Sequence, residues 1–185
     1  MISFRLKSHS LLLAALISII WIAQCSSGQT TEEQPQPTER GSQESLTGCV
    51  EGDCVNGNGT YVYDTGDTYK GPFKNGLREG SGTMRYANGD IYNGSYVSDK
   101  RVGEGTYTFA NGDEYKGEFR DGLRGGQGTY TWTEDSAMFK GEFAEDGQQG
   151  KGIMKVGENT AECVLEQRKV ICENGTTRKV EGEGK

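Results

Sequence analysis

The chain has 185 residues, room for one modest domain with extensions. Glycine is abundant at 29 residues and only 32% of residues are apolar; between Leu46 and Val156 the leucines are Leu46, Leu77 and Leu123, which excludes a conventional aliphatic core. The formal net charge of −7 argues against nucleic acid and anionic head groups, both of which call for basic patches.

The chain opens with a basic start, Arg5 and Lys7 with His9, followed by an apolar run of 13 residues from Leu11 to Ala23. That run is short for a bilayer span and right for the apolar stretch of an export signal, so residues 1–24 are expected to be a signal peptide; an uncleaved signal anchor is the alternative. Cys25 follows Ile22-Ala23-Gln24, which resembles a bacterial lipobox and implies a lipidated mature N-terminus at Cys25, although Gln24 and Trp21 depart from the usual pattern. Without Arg5 and Lys7, 18 basic residues face 27 acidic ones, a net charge of −9. From Lys70 to Lys155 the balance is 12 to 13, so the acidity sits in the flanks. Residues 25–48 are polar, with Leu46 the one aliphatic residue after Cys25. They read as a disordered, lipid-anchored linker with a reach of roughly 25 Å.

A fixed period governs residues 49–160. Gly57, Gly80, Gly103, Gly126 and Gly150 step by 23 residues with a last step of 24, and Gly59, Gly82, Gly105, Gly128 and Gly152 keep the same phase. So do the aromatic series Tyr69, Tyr92, Tyr115 and Phe139; Phe73, Tyr96, Phe119 and Phe143; and Tyr63, Tyr86, Phe109 and Trp132. Such a period marks stacked repeats, each unable to bury its apolar face alone. A half unit spans Asn56–Tyr63, and full units start at Tyr69, Tyr92, Tyr115 and Phe139. Each reads as two strands. Tyr69, Gly71 and Phe73 share one face, with the glycine leaving room for a neighbouring ring. Asn88-Gly89 and Asn111-Gly112 predict two-residue type I′ turns, with φ above zero twice. Asn75-Gly76 and Asp121-Gly122 mark the opposite turns.

Tyr69-Lys70-Gly71-Pro72-Phe73, followed by Gly80-Ser81-Gly82-Thr83 and Asn88-Gly89-Asp90, resembles the MORN repeat over about 100 residues. The resemblance implies an all-β protein: an elongated, single-layer antiparallel β-meander, one hairpin per repeat. The fourth unit departs from it through Phe139, Thr133-Glu134-Asp135-Ser136-Ala137 and Ile153-Met154, as terminal repeats often do.

Residues 161–185 are expected to form a disulfide-linked hairpin cap and tail, with turns around Gln167-Arg168 and Asn174-Gly175. Four cysteines remain after Cys25, and four allow three pairings. Short separation and hairpin symmetry favour Cys49–Cys54 and Cys163–Cys172, pinning the two ends of the sheet.

Little in the mature chain suggests catalysis. His9 leaves with the signal, removing histidine bases, triads and histidine metal ligands. In an exported chain the cysteines suit bridges better than zinc. A calcium ladder along Asp67, Asp90 and Asp113 with Asn88 and Asn111 would need six to eight oxygens per ion, whereas Asp after Asn-Gly is ordinary turn chemistry. No cofactor, metal, nucleic acid or small-molecule substrate is expected. The resulting expectation is a non-catalytic, exported lipoprotein whose repeat sheet is a protein-interaction or scaffolding surface in the bacterial envelope, at the outer membrane or the periplasmic face. Its open rows of rings would meet an envelope protein or a second copy, and its lipid anchor would hold the membrane. The alternative is phospholipid head-group binding through Lys70, Lys116 and Lys140. Glu118, Glu142 and the gap at Asn93 weigh against that stripe. MORN repeats also accompany kinase or methyltransferase domains, but no such domain fits in the remainder.

Overall fold

The computed structural model describes residues 47–183; the expected signal segment, the expected lipidation at Cys25 and most of the expected linker lie outside the described residues. Every regular element in it is a strand, as this glycine density dictates, since each glycine disfavours helix by about 1 kcal/mol. The first hairpin is β1 (Gly48–Gly52) with β2 (Asn58–Val62). The first full unit holds β3 (Thr68–Lys74), β4 (Leu77–Arg78) and β5 (Gly80–Arg85). Then come β6 (Ile91–Val97) with β7 (Lys100–Thr108), β8 (Glu114–Arg120) with β9 (Leu123–Thr131), and β10 (Met138–Ala144) with β11 (Gln149–Val156). The chain finishes with β12 (Asn159–Glu166), β13 (Lys169–Cys172) and β14 (Thr177–Lys179). All fourteen strands belong to one open antiparallel sheet in chain order, with β4 paired to β3 beside β5.

The turns reverse the expected assignment. Only Gly89 and Gly112 of the two Asn-Gly pairs take positive φ, at 95° and 90°. The Gly89 N–H donates to the Tyr86 carbonyl at 3.0 Å and the Tyr86 N–H to the Asp90 carbonyl at 2.9 Å, the pattern of a three-residue loop with one left-handed residue. Phe109, Gly112 and Asp113 repeat it. The paired positive φ values of a type I′ turn fall at the other end of each unit, at Asn75-Gly76, Ser98-Asp99 and Asp121-Gly122. Asn-Gly suits both loops, and the one-residue difference in loop length decides between them.

Register explains why there are two glycine series. Gly94 pairs with Gly105, Gly105 with Gly117 and Gly117 with Gly128, and the row runs on through Gly141 and Gly152. Gly94, Gly105, Gly117 and Gly128 lie beneath tyrosine rings, whereas a Cβ on Gly141 or Gly152 would meet the backbone of the facing strand. A Cβ on Gly105 would sit 2.7 Å from Tyr92 Cε2, and one on Gly82 would sit 2.6 Å from Tyr69 Cε2. The other series serves the backbone. Gly103 and Gly126, with φ of 64° and 87°, lie where the ladder breaks register within a unit, between β6 and β7 and between β8 and β9, an irregularity that residues with a Cβ resist. The fourth unit has no such break: pairing runs evenly from Met138–Lys155 to Ala144–Gln149, and the extra chain goes into the turn after Ala144.

Past residue 160 the sheet continues without interruption. β12 pairs with β11 from Val156–Asn159 to Gln149–Glu166, and the predicted hairpin carries a third strand, β14. Cys163 and Cys172 are directly paired and bridged, with Cα atoms 4.0 Å apart; Cys49 and Cys54 are bridged with Cα atoms 5.9 Å apart. Both bridges continue the glycine row. Cys163 pairs with Gly152, and Cys54 Sγ lies where a Gly59 Cβ would be, 2.6 Å away.

Candidate functional site

Residues directly opposite in an antiparallel ladder face the same way, so the pairings define an inner face. On it, Tyr69, Met84, Tyr92, Tyr107, Tyr115, Tyr130, Phe139 and Met154 form one cross-strand row. Phe73, Tyr96, Phe119 and Phe143 stand four residues along from Tyr69, Tyr92, Tyr115 and Phe139. The eight rings interlock in one zigzag: Phe73–Tyr69–Tyr96–Tyr92–Phe119–Tyr115–Phe143–Phe139, with centroids 4.8–5.5 Å apart and every contact edge-to-face. Each such pair contributes about 0.5–1.5 kcal/mol beyond the area it buries. The ladder residues expected from the sequence are thus brought together, but not in the open. All eight are buried, none more than 6% exposed. The rings cover the glycine row and each other, so they are the core.

The phenol groups are tied down as well. Tyr69, Tyr92 and Tyr115 donate to the carbonyls of Pro72, Ser95 and Glu118 at 3.2, 3.3 and 3.0 Å. Burial pushes the Tyr69 and Tyr92 phenols up to about 12, and raises those of Tyr96, Tyr107, Tyr115 and Tyr130 further.

The aspartates staple one repeat to the next. Asp90 accepts from the Tyr107 hydroxyl at 2.6 Å and the Ala110 N–H at 2.8 Å. Asp113 accepts from the Tyr130 hydroxyl at 2.8 Å and the Thr133 N–H at 2.9 Å, and Asp67 from the Ala87 N–H at 2.8 Å. The Asp67, Asp90 and Asp113 series expected as turn chemistry therefore reaches into the following turn. Among the described residues no three acidic, histidine or cysteine side chains gather as a metal would require.

A further series, Arg78, Arg101 and Arg124, keeps the same 23-residue step and escapes a reading based on glycines and rings. Each guanidinium lies on inner-face rings: Arg78 5.0 Å from the Tyr96 centroid, Arg101 5.1 Å from Phe119, and Arg124 5.4 Å from Phe109. Cation–π contacts of this kind contribute about 0.5–2 kcal/mol. Each also reaches the next repeat's turn. Arg78 Nε donates to Asp99 Oδ1 at 2.9 Å, Arg101 Nε to the Gly122 carbonyl at 3.0 Å, and Arg124 Nη2 to the Asp146 carbonyl at 2.8 Å.

Sequence reasoning also missed the tail. Val180–Glu183 lies back across the inner face. Trp132 Nε1 donates to the Lys179 carbonyl at 2.7 Å, the Glu181 N–H to the Tyr130 hydroxyl at 3.1 Å, and Arg124 Nη2 to the Glu181 carbonyl at 3.1 Å. Glu183 ends against Arg101 Nη2 and lies 3.4 Å from Arg124 Nε. Burial raises its carboxyl above the ordinary range, more than Arg101 and Arg124 lower it. Lys70, Lys116 and Lys140 stand exposed on the outer face, Lys70 with Glu51 at 3.8 Å.

Repeated two-strand units stapled into one open sheet, with a ring core and polar edges, define a stacked β-repeat architecture. The MORN repeat family model matches the chain four times in succession, at residues 56–68, 69–91, 92–114 and 115–136. MORN repeats are in general protein- or membrane-interaction modules and typically non-catalytic. No curated protein matches the chain. The match stops where Thr133–Ala137 replaces the Asn-Gly loop, yet the repeat geometry persists one unit further, with Gly141 paired to Gly152 and Phe139 and Phe143 joining the zigzag.

Proposed function

We propose that this is an exported, lipid-anchored, non-catalytic protein whose MORN sheet is a protein-interaction or scaffolding surface at the cell envelope. One observation carries the reading: an open apolar patch on the outer face of β11, β12 and β13. Ile153, Val164 and Ile171 are 52%, 45% and 37% exposed, Val164 pairs with both Lys151 and Ile171, and Glu162 and Glu173 line the rim. Isolated apolar side chains are ordinary on a surface; a contiguous set rimmed by polar groups marks a contact site. Two bridged cysteine pairs suit an oxidising compartment, as export implies.

The test is in-situ crosslinking from a photoreactive residue at position 171. The expected result is a discrete adduct with one envelope protein or with a second copy, lost in Val164→Lys while stability changes by no more than about 0.5 kcal/mol. The absence of any adduct, with a monomer at every concentration, refutes the reading. Saturable binding of the unacylated domain to anionic vesicles, abolished by replacing Lys70, Lys116 and Lys140 with Gln, would favour the head-group alternative.

A further inference from the structure

The arginine series contains a gap. Arg78 and Arg124 each meet a carboxylate in the next repeat's turn, Asp99 and Asp146, but the corresponding residue for Arg101 is Gly122, which offers only its carbonyl. Arg101 is 12% exposed and lies on the Tyr92, Tyr107 and Phe119 rings, so water does little to balance its charge. The missing carboxylate comes from Glu183, 82 residues away along the chain. The seat is imperfect. Arg124, fully buried, has an Nη1 with no hydrogen-bond partner, and Glu183 Oε1 makes only its 3.4 Å ion contact. The Arg101 Nη1 donates at 3.5 Å to Tyr86, which also borders an open concavity of about 380 Å³ over Tyr63, Asp67, Arg78 and Met84.

We propose that Arg101 and Arg124 form a carboxylate-binding groove for an extended acidic segment of a partner protein, and that the chain's own tail occupies it in cis. The inference rests on the interaction-surface reading and gives it a second face and a partner chemistry. The tail displays what fits: a backbone carbonyl on Arg124, an N–H on Tyr130 and, two residues on, a carboxylate on Arg101. A partner segment with that spacing would also extend into the concavity beyond Tyr86, which the tail leaves open. A tail tethered at an effective concentration of about 1 mM, with an intrinsic affinity for the groove of about 0.1 mM, weakens a competing segment roughly tenfold.

The test uses the full mature chain and a fluorescent peptide of residues 179–185, Lys-Val-Glu-Gly-Glu-Gly-Lys. In the double variant Glu181→Pro and Glu183→Lys, the tail loses its N–H donor and repels Arg101. Anisotropy should show this variant binding the peptide about tenfold more tightly than the unsubstituted chain, and not binding a peptide with Lys in place of the second Glu. In the unsubstituted chain, excess peptide should speed hydrogen exchange at the Glu181 amide, a readout that holds even if the variant folds poorly. No binding with no faster exchange, or equal binding of both peptides, overturns the proposal. So does an unsubstituted chain that dimerises by exchanging tails, since the occupant would then be a second copy. A crosslinked partner at residue 171 whose capture ignores the peptide leaves the outer-face reading intact while this one fails.

Discussion

If the rings are packed onto bare backbone, a methyl group placed under one of them must be costly only while the ring is there. Gly105 is the cleanest place to add it. Its φ is not positive, so alanine fits the backbone, and the three atoms nearest a built Cβ all belong to Tyr92, at 2.7, 2.7 and 2.9 Å. Overpacking of this kind destabilises by about 1–3 kcal/mol, offset in part by the 0.4–1 kcal/mol that Gly→Ala gains from a less flexible unfolded chain. Gly105→Ala alone should therefore lose about 1–2 kcal/mol. Tyr92→Ala should lose about 3–5 kcal/mol, because it empties a fully buried site that touches Tyr96, Phe119 and Arg101. In the double variant the methyl meets no ring, and Gly105→Ala should become neutral or slightly stabilising. The coupling is then about 1–3 kcal/mol of opposite sign to the single losses. Equilibrium urea unfolding with the disulfides intact measures it, using Trp fluorescence and circular dichroism to confirm coincident transitions. Single losses that add to within about 0.5 kcal/mol would show that the two sites are independent and that the ring does not rest on the glycine.

Phenol titration followed by ultraviolet absorbance should find most of the nine tyrosines neutral at pH 11, with Tyr69 and Tyr92 ionising near 12 or on unfolding; because the folded values are raised, their contribution to stability is complete below pH 10 and disappears as pH rises through 12. Glu183 follows the same sign. Its raised folded pKa favours the folded state most below about pH 4.3, and that advantage is lost as pH rises through the folded value, so melting of the native chain minus that of Glu183→Gln should fall across that window and then level off. Asp113→Ala, which strands the Tyr130 hydroxyl and the Thr133 amide, should cost about 1–3 kcal/mol, while a chelator should leave the melting temperature of the native chain unchanged. Cys25→Ala should release the chain into the soluble fraction, and intact-mass measurement of the native protein should show loss of residues 1–24 plus acyl mass.

The sequence by itself determined the sheet and its core. Side-chain alternation is local, so a ring, a glycine and a ring at i, i+2 and i+4 share a face wherever the strand lies, and a 23-residue step brings them into one row. Cys163 and Cys172 were equally legible, since symmetry about a turn fixes their register. The turn chemistry was less so, because Asn-Gly suits a two-residue and a three-residue loop alike and only the strand ends choose. The arginine step stood in the chain, but its purpose depended on rings and turns from different units. Glu183 carried no local signal at all. Its partner Arg101 lies 82 residues earlier, on a strand with which the tail forms no ladder. Only the folded sheet, with the tail after its last strand returning over the inner face, brings the unmatched arginine and the spare carboxylate together.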